Sequence, residues 1–215
     1  MGADHNVGDK MNLRTALEEL LKENKRKFIQ SLDLIINLRG IDLRKENINL
    51  ILNVPHKIKE KKVCGFFDKK SDLVDTITKL EFAKYKDKKL LKNLIKQYDF
   101  FIASAPLMPA VATTFGKILG PAGKMPSPQL GIIGQETTDV IKKEMDKISH
   151  SIKIRVKEAS IKLCIGNEKM KLEEVMDNVK ATYGSIINAL PKKKENVKNV
   201  MIKLTMTKPL KVEVN

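Results

Sequence analysis

Strands of two kinds, one nested inside the other, constrain this chain more than any single motif does. Near the start, 31-SLDLIINLR-39 alternates Leu32, Leu34, Ile36 and Leu38 with Ser31, Asp33, Asn37 and Arg39, and 48-INLILNVP-55 alternates again. A period of two marks strands with one buried face and one polar face. In the middle, 62-KVCGFF-67 and 98-YDFFIAS-104 are nearly unbroken apolar runs, as in strands covered on both sides. After His150 the alternation returns in 151-SIKIRVK-157, 160-SIKLCIG-166 and 198-KNVMIKLTMT-207.

Helical spacing fills the intervals. Leu13, Leu17, Leu20 and Leu21 share a face between Asn12 and Lys25. Further helices are expected around 73–80, 88–97, 106–119 and 137–148, and a long one over 172–190. The first two alternating strands predict an antiparallel pair on a layer of helices. Segments 151–157 and 160–166 predict a hairpin around Glu158 and Ala159. Alternating strand and helix in the middle third predicts a small α/β layer with parallel strands. The fold class is therefore α/β: a discontinuous α+β outer domain, 1–62 plus 155–215, with an α/β domain, 63–154, inserted into it. The two chain crossings make a hinge. With 215 residues there is room for two small domains.

Charge narrows the partners. Forty-one Lys and Arg against 26 Asp and Glu give +15, of which the outer thirds, 1–62 and 151–215, hold +11. That balance favours a polyanion, nucleic acid above all; a lysine-rich solvated surface is the plainer alternative. Aromatic content of 5% without tryptophan offers no base-stacking platform. No apolar run approaches the roughly 20 residues of a membrane span. MGADHNVGDK lacks the apolar core of a signal peptide and is read as a flexible tail. Cys64 and Cys164, each inside a strand-like run, read as buried reduced thiols of a cytoplasmic protein.

The stretch 116-GKILGPAGKMPSPQL-130 invites a phosphate-loop reading and fails it. A Walker A loop needs a glycine five positions before Gly123, where Ile118 stands, and a hydroxyl after Lys124, where Met125 stands. No G-x-G-x-x-G opens a helix after either inner strand. His5, His56 and His150 lack metal-ligand spacing, and Glu173, Glu174 and Asp177 lie on the polar side of a helix. No catalytic residues, metal ligands or cofactor emerge.

RNA contact has more specific material. Lys25, Arg26 and Lys27 precede the strand that opens at Ser31 and Asp33, while Lys203, Thr205 and Lys208 line another strand end. If those strands are neighbours, the lysines reach phosphate and the hydroxyls reach sugar 2′-OH groups. An ordinary solvated edge, a nonspecific basic RNA-binding module and a nucleotide-binding enzyme built on the insert stay open as alternatives.

The collinear set 27-KFIQSLDLIINLRGIDLRK-45, 97-QYDFFIASAPLMP-109, 116-GKILGPAGKMPSP-128, 165-IGNEKM-170 and 203-KLTMTKP-209 resembles the family of large-subunit ribosomal protein one, in its archaeal form. The resemblance runs from about Leu13 to Val212. It implies a split β-α-β outer domain and a Rossmann-like insert joined by a hinge. It implies a ribosomal protein without enzymatic activity or cofactor, cytoplasmic, apart from membranes and monomeric outside the ribosome. Its expected partners are large-subunit rRNA, bound to form a mobile stalk beside the exit site, and exit-site tRNA, whose deacylated form it helps to release. Many members also repress translation of their own mRNA. The family's RNA surface falls here on Lys27, Phe28, Ser31, Asp33, Lys203, Thr205, Met206, Thr207 and Lys208, with Lys117 and Lys124 as a secondary RNA or tRNA contact. Two positions depart from the pattern. The family has Gly where Thr207 stands, which lets the backbone approach RNA closely, so a side chain there crowds or shifts that contact. Ile29 replaces a polar residue.

Overall fold

The structure is a computed structural model that describes residues 11–23, 26–42, 48–156 and 158–214. In chain order its elements begin with β1 (Met11–Asn12), α1 (Leu13–Glu23), β2 (Ser31–Leu38) and β3 (Asn49–Asn53). The middle holds β4 (Val63–Phe67), β5 (Asp75–Thr78), α2 (Lys88–Gln97), β6 (Phe100–Ser104), α3 (Met108–Ala122), β7 (Ile132–Ile133) and α4 (Thr138–Ser149). The last third holds β8 (Ser151–Arg155), β9 (Ser160–Asn167), α5 (Leu172–Ala189), β10 (Val197–Leu204) and β11 (Leu210–Glu213). The fold is mixed α/β, and the chain divides into two compact units, Met1–Lys59 with His150–Asn215, and Glu60–Ser149.

In the first unit the five-stranded sheet runs β1-β11-β10-β2-β9, antiparallel except for β1 beside β11. Alternation decides which face is covered. Leu32, Leu34, Ile36 and Leu38 of β2 are buried beside Val200, Ile202 and Leu204 of β10 and Ile161, Leu163 and Ile165 of β9. Leu13, Leu17 and Leu20 of α1 and Val175, Val179 and Ile186 of α5 belong to the same core. Each such side chain contributes about 1.5–3 kcal/mol by leaving water. Asn178, fully buried on α5, donates from its amide to the carbonyls of His56 (3.0 Å) and Ile165 (3.1 Å) and accepts from the His56 N–H (2.9 Å).

Two expected pairings are corrected. β2 does not pair with β3, because both its edges are taken, by β10 and by β9. β8 and β9 do not form a hairpin: β8 pairs with β3 as a separate ribbon, and β9 joins the large sheet. For the same reason residues 150–154, read with the insert from sequence, fall in the first unit.

The second unit holds a four-stranded parallel sheet, β5-β4-β6-β7. All of β4 is buried, and Phe66 lies stacked on Phe101 at 5.6 Å and against Phe115 at 4.8 Å. The helix expected over 73–80 is instead strand β5 followed by a 3₁₀ segment, Lys79–Lys86. Three consecutive β-branched residues, Thr76, Ile77 and Thr78, favour a pleated edge over a helical turn. Helix α3 carries Gly116 to Ala122 of the supposed loop and ends at Gly123 in the left-handed region, φ +71°. Lys193, after α5, is the non-glycine residue with positive φ among those described, at +50°, a conformation that costs an L side chain about 1–2 kcal/mol.

Candidate nucleic-acid interface

Three strands of the first unit end at one place. β2 begins at Ser31, opposite Asn167 at the end of β9, and Leu32 pairs with Leu204 at the end of β10. The Thr205 N–H extends the ladder to the Ser31 carbonyl at 3.1 Å. Ser31 and Thr205, 174 positions apart, bring their hydroxyls within 3.0 Å. The Thr205 hydroxyl also accepts from the Ser31 N–H (3.1 Å) and donates to the Ser31 carbonyl (3.3 Å). In the arrangement that uses all three contacts, Ser31 donates its hydroxyl proton to Thr205. Ser31 Oγ then keeps its lone pairs for an outside donor such as a ribose 2′-OH.

Cations and apolar side chains frame this couple. Arg26, Lys27, Lys169 and Lys208 are exposed; Lys25 lies outside the described residues. Phe28 (50%), Ile29 (52%) and Met206 (61%) are large apolar side chains left in water. Lys203 stands opposite Asp33 in the β2–β10 register. Burial pushes the Asp33 carboxyl above the usual carboxylate range, and the Lys203 charge pulls it partway back. All nine residues expected at the RNA surface therefore lie on or beside the same strand ends. Thr207 does not use the conformation a glycine would supply. Its hydroxyl accepts from the Leu204 N–H (2.9 Å) and closes the turn that follows β10.

Gln30 was not legible as part of the site. Its side chain is fully buried. Its carbonyl oxygen accepts from the Met206 N–H (3.2 Å), its amide donates to Glu168 Oε2 (3.4 Å), and its backbone carbonyl accepts from the Glu168 N–H (3.1 Å). One glutamine thus ties the turns after β9 and β10 to the start of β2. Gln30→Ala is expected to cost about 1–3 kcal/mol by leaving buried partners unmet, and to weaken RNA binding without removing any group on the surface. Chemical denaturation and an RNA titration on the same variant check both effects; unchanged values of each would show Gln30 to be a passive filler.

The second unit holds the remaining expected residues. Lys117 is exposed on α3. Lys124 is not available to a polyanion as expected, because its ammonium donates to the carbonyls of Ile95 and Tyr98, both at 2.7 Å, at the end of α2. Lysine heads commonly satisfy the last carbonyls of a helix in this way. The amides around the helix end are also committed: Gly123 N–H to Gly120 O and Lys124 N–H to Leu119 O, both 3.0 Å.

A parallel sheet takes ligands beside the carboxyl ends of its strands where the strand order reverses, here beyond β4. The backbone N–H groups of Asp68 (3.0 Å) and Lys69 (3.4 Å) point there into the carboxylate of Glu136, so the chain's own anion occupies the donors a phosphate would need. Among the described residues no group of three or more His, Cys, Asp and Glu is placed to hold a metal ion, and no helix is long and apolar enough to cross a membrane.

The family model described as "Ribosomal protein L1p/L10e family" matches residues 20–208. A protein of Archaeoglobus fulgidus named "Large ribosomal subunit protein uL1" is 32% identical over 221 residues, spanning 96% of this chain and 99% of that protein. Proteins of the same name from Pyrobaculum neutrophilum and Thermococcus kodakarensis are 36% and 35% identical, spanning 96% and 93% of this chain and 96% and 98% of their own lengths. A family match over most of the chain, with relatives above 30% identity that it covers almost end to end, places it: the chain belongs to the ribosomal protein L1p/L10e family.

Proposed function

We propose that this chain is a structural constituent of the large ribosomal subunit that binds large-subunit rRNA through the strand ends of its first unit. The observation that carries the reading is the Ser31–Thr205 hydroxyl couple, framed by exposed cations and by Phe28 and Met206. Hydroxyls and strand-end backbone groups read sugar, lysines hold phosphate, and the exposed apolar side chains cover ribose faces. On this reading the 60–149 unit is a second domain on a hinge, within a stalk beside the exit site that assists release of deacylated tRNA. The protein is a cytoplasmic monomer outside the ribosome, and a similar RNA fold in its own mRNA makes it a translational repressor. These finer parts rest on the family resemblance.

The test is a titration of the full chain against a large-subunit rRNA transcript at fixed salt, with unrelated duplex RNA in excess. Retained binding supports the reading, and full displacement by the competitor leaves only a nonspecific basic module. A nucleotide-binding enzyme is disfavoured by the Glu136 carboxylate on the Asp68 and Lys69 amides.

A further inference from the structure

We infer that the opposite end of the same sheet is a second RNA contact, a phosphate-backbone face centred on Lys193. The inference rests on the RNA-binding reading above and adds a site to it. An eight-residue strand at about 3.3 Å per residue sets the two ends of β2 about 25 Å apart. A second contact there engages a different stretch of RNA from the one at Ser31.

The far end is built rather than frayed. The turn 191-PKKKEN-196 places Lys192, Lys193 and Lys194 in water, yet its backbone is fixed from inside. Asn196 is 2% exposed; its side chain accepts from the Lys192 N–H (2.7 Å) and donates to the Arg39 carbonyl (3.0 Å). Arg39 returns the tie, donating from Nε to the Glu195 carbonyl (2.9 Å) and from its N–H to the Asn196 carbonyl (2.8 Å). A guanidinium is thereby held against the backbone of the lysine turn, so part of the backbone's ordering cost is met before a ligand arrives.

Lys193 adds an independent sign. It occupies left-handed backbone, φ +50°, where glycine would sit without strain. A backbone outlier that carries a long cationic side chain points to a use for that side chain. The same end of the sheet continues into a cleft of about 340 Å³ between β8 and β9, which do not pair with each other, lined in part by Arg155, Ser160 and Lys162. The Ser160 hydroxyl is buried there without a hydrogen-bond partner. Cations with a spare hydroxyl suit phosphodiester oxygens; Glu158, 3.9 Å from the Lys162 ammonium, and Glu195 are the acids interleaved with these segments.

The test uses the full chain and the same large-subunit rRNA transcript, titrated from about 50 to about 200 mM salt. Lys193→Gly relieves the backbone, so its Tm is expected to match or exceed that of the wild type while its salt slope becomes shallower by about 0.7–0.9, one phosphate contact. Exchanging Lys192, Lys193 and Lys194 together for Gln is expected to flatten the slope by about 2 or more. Wild-type affinity and slope in both variants would overturn the inference while leaving the Ser31 site standing. Failure of the wild type to bind the transcript would overturn both.

Discussion

Gly131→Ala is expected to open the second unit and leave the first one folded. Gly131 has φ +101°, and a Cβ there would lie 2.7 Å from the Phe101 carbonyl oxygen. That carbonyl belongs to β6 and has little room to move. The Gly131 N–H is meanwhile held by the buried Glu144 carboxylate at 3.0 Å, and its carbonyl accepts from the Ala103 N–H at 2.7 Å. Strain of about 1–3 kcal/mol from the dihedral alone, with the clash added, makes about 3 kcal/mol a reasonable expectation for the whole change.

The two cysteines report on the two units separately. Burial, reinforced by the Asp75 charge, pushes the Cys64 thiol up to about 12. Since the thiolate is the nucleophile, Cys64 in the folded unit reacts with iodoacetamide essentially only through opening. A loss of about 3 kcal/mol raises that opening, and the alkylation rate, by about a hundredfold. Cys164, in β9 of the first unit, should keep its rate. Mass spectrometry of the two peptides reads both. An unchanged Cys64 rate would contradict the strain, and an equal rise at both cysteines would contradict separate cores.

The second large effect is on binding. Exchanging Ser31 and Thr205 together for Ala is expected to weaken binding of the large-subunit transcript about thirtyfold, from about 1 kcal/mol for each hydrogen bond lost. The salt slope should stay as it is, because no phosphate contact is removed. That separates this pair from the lysines, whose loss flattens the slope. Stability should change little, since the Ser31 N–H that Thr205 serves lies at an exposed position where water can replace the hydroxyl. Unaltered affinity would reduce the couple to a sheet terminator.

Periodicity showed which face of each strand is buried but said little about its neighbours. Leu32 to Leu38 were readable as an inward row because alternation is a property of one segment. The pairing of β2 with β9 and β10 depends on partners far along the chain, so adjacency in sequence misassigned both β2–β3 and β8–β9. At 73–80 a window of apolar spacing outweighed three β-branched residues that the sheet edge prefers. The strand-end cluster proposed to bind RNA was legible where residue types are distinctive, at Ser31, Thr205 and the flanking lysines. Gln30 was not, because a single buried amide leaves no periodic trace. Lys124 misled for the opposite reason: a lysine among Gly and Pro reads as solvated, and nothing local announces that its head caps a neighbouring helix.

The β2–β9–β10 arrangement also sets a timetable for synthesis. The Glu60–Ser149 unit is one continuous stretch, so it can fold while translation is still in progress. Strand β2 emerges earlier but must wait for both neighbours, and the Ser31–Thr205 couple closes over 174 positions. A nascent chain interrupted before β10 therefore carries a finished inner unit and an unfinished strand-end cluster. On the proposed RNA-binding role, competence to hold RNA would arrive late, in a single closing step, and incomplete chains would not compete with complete ones for the same RNA.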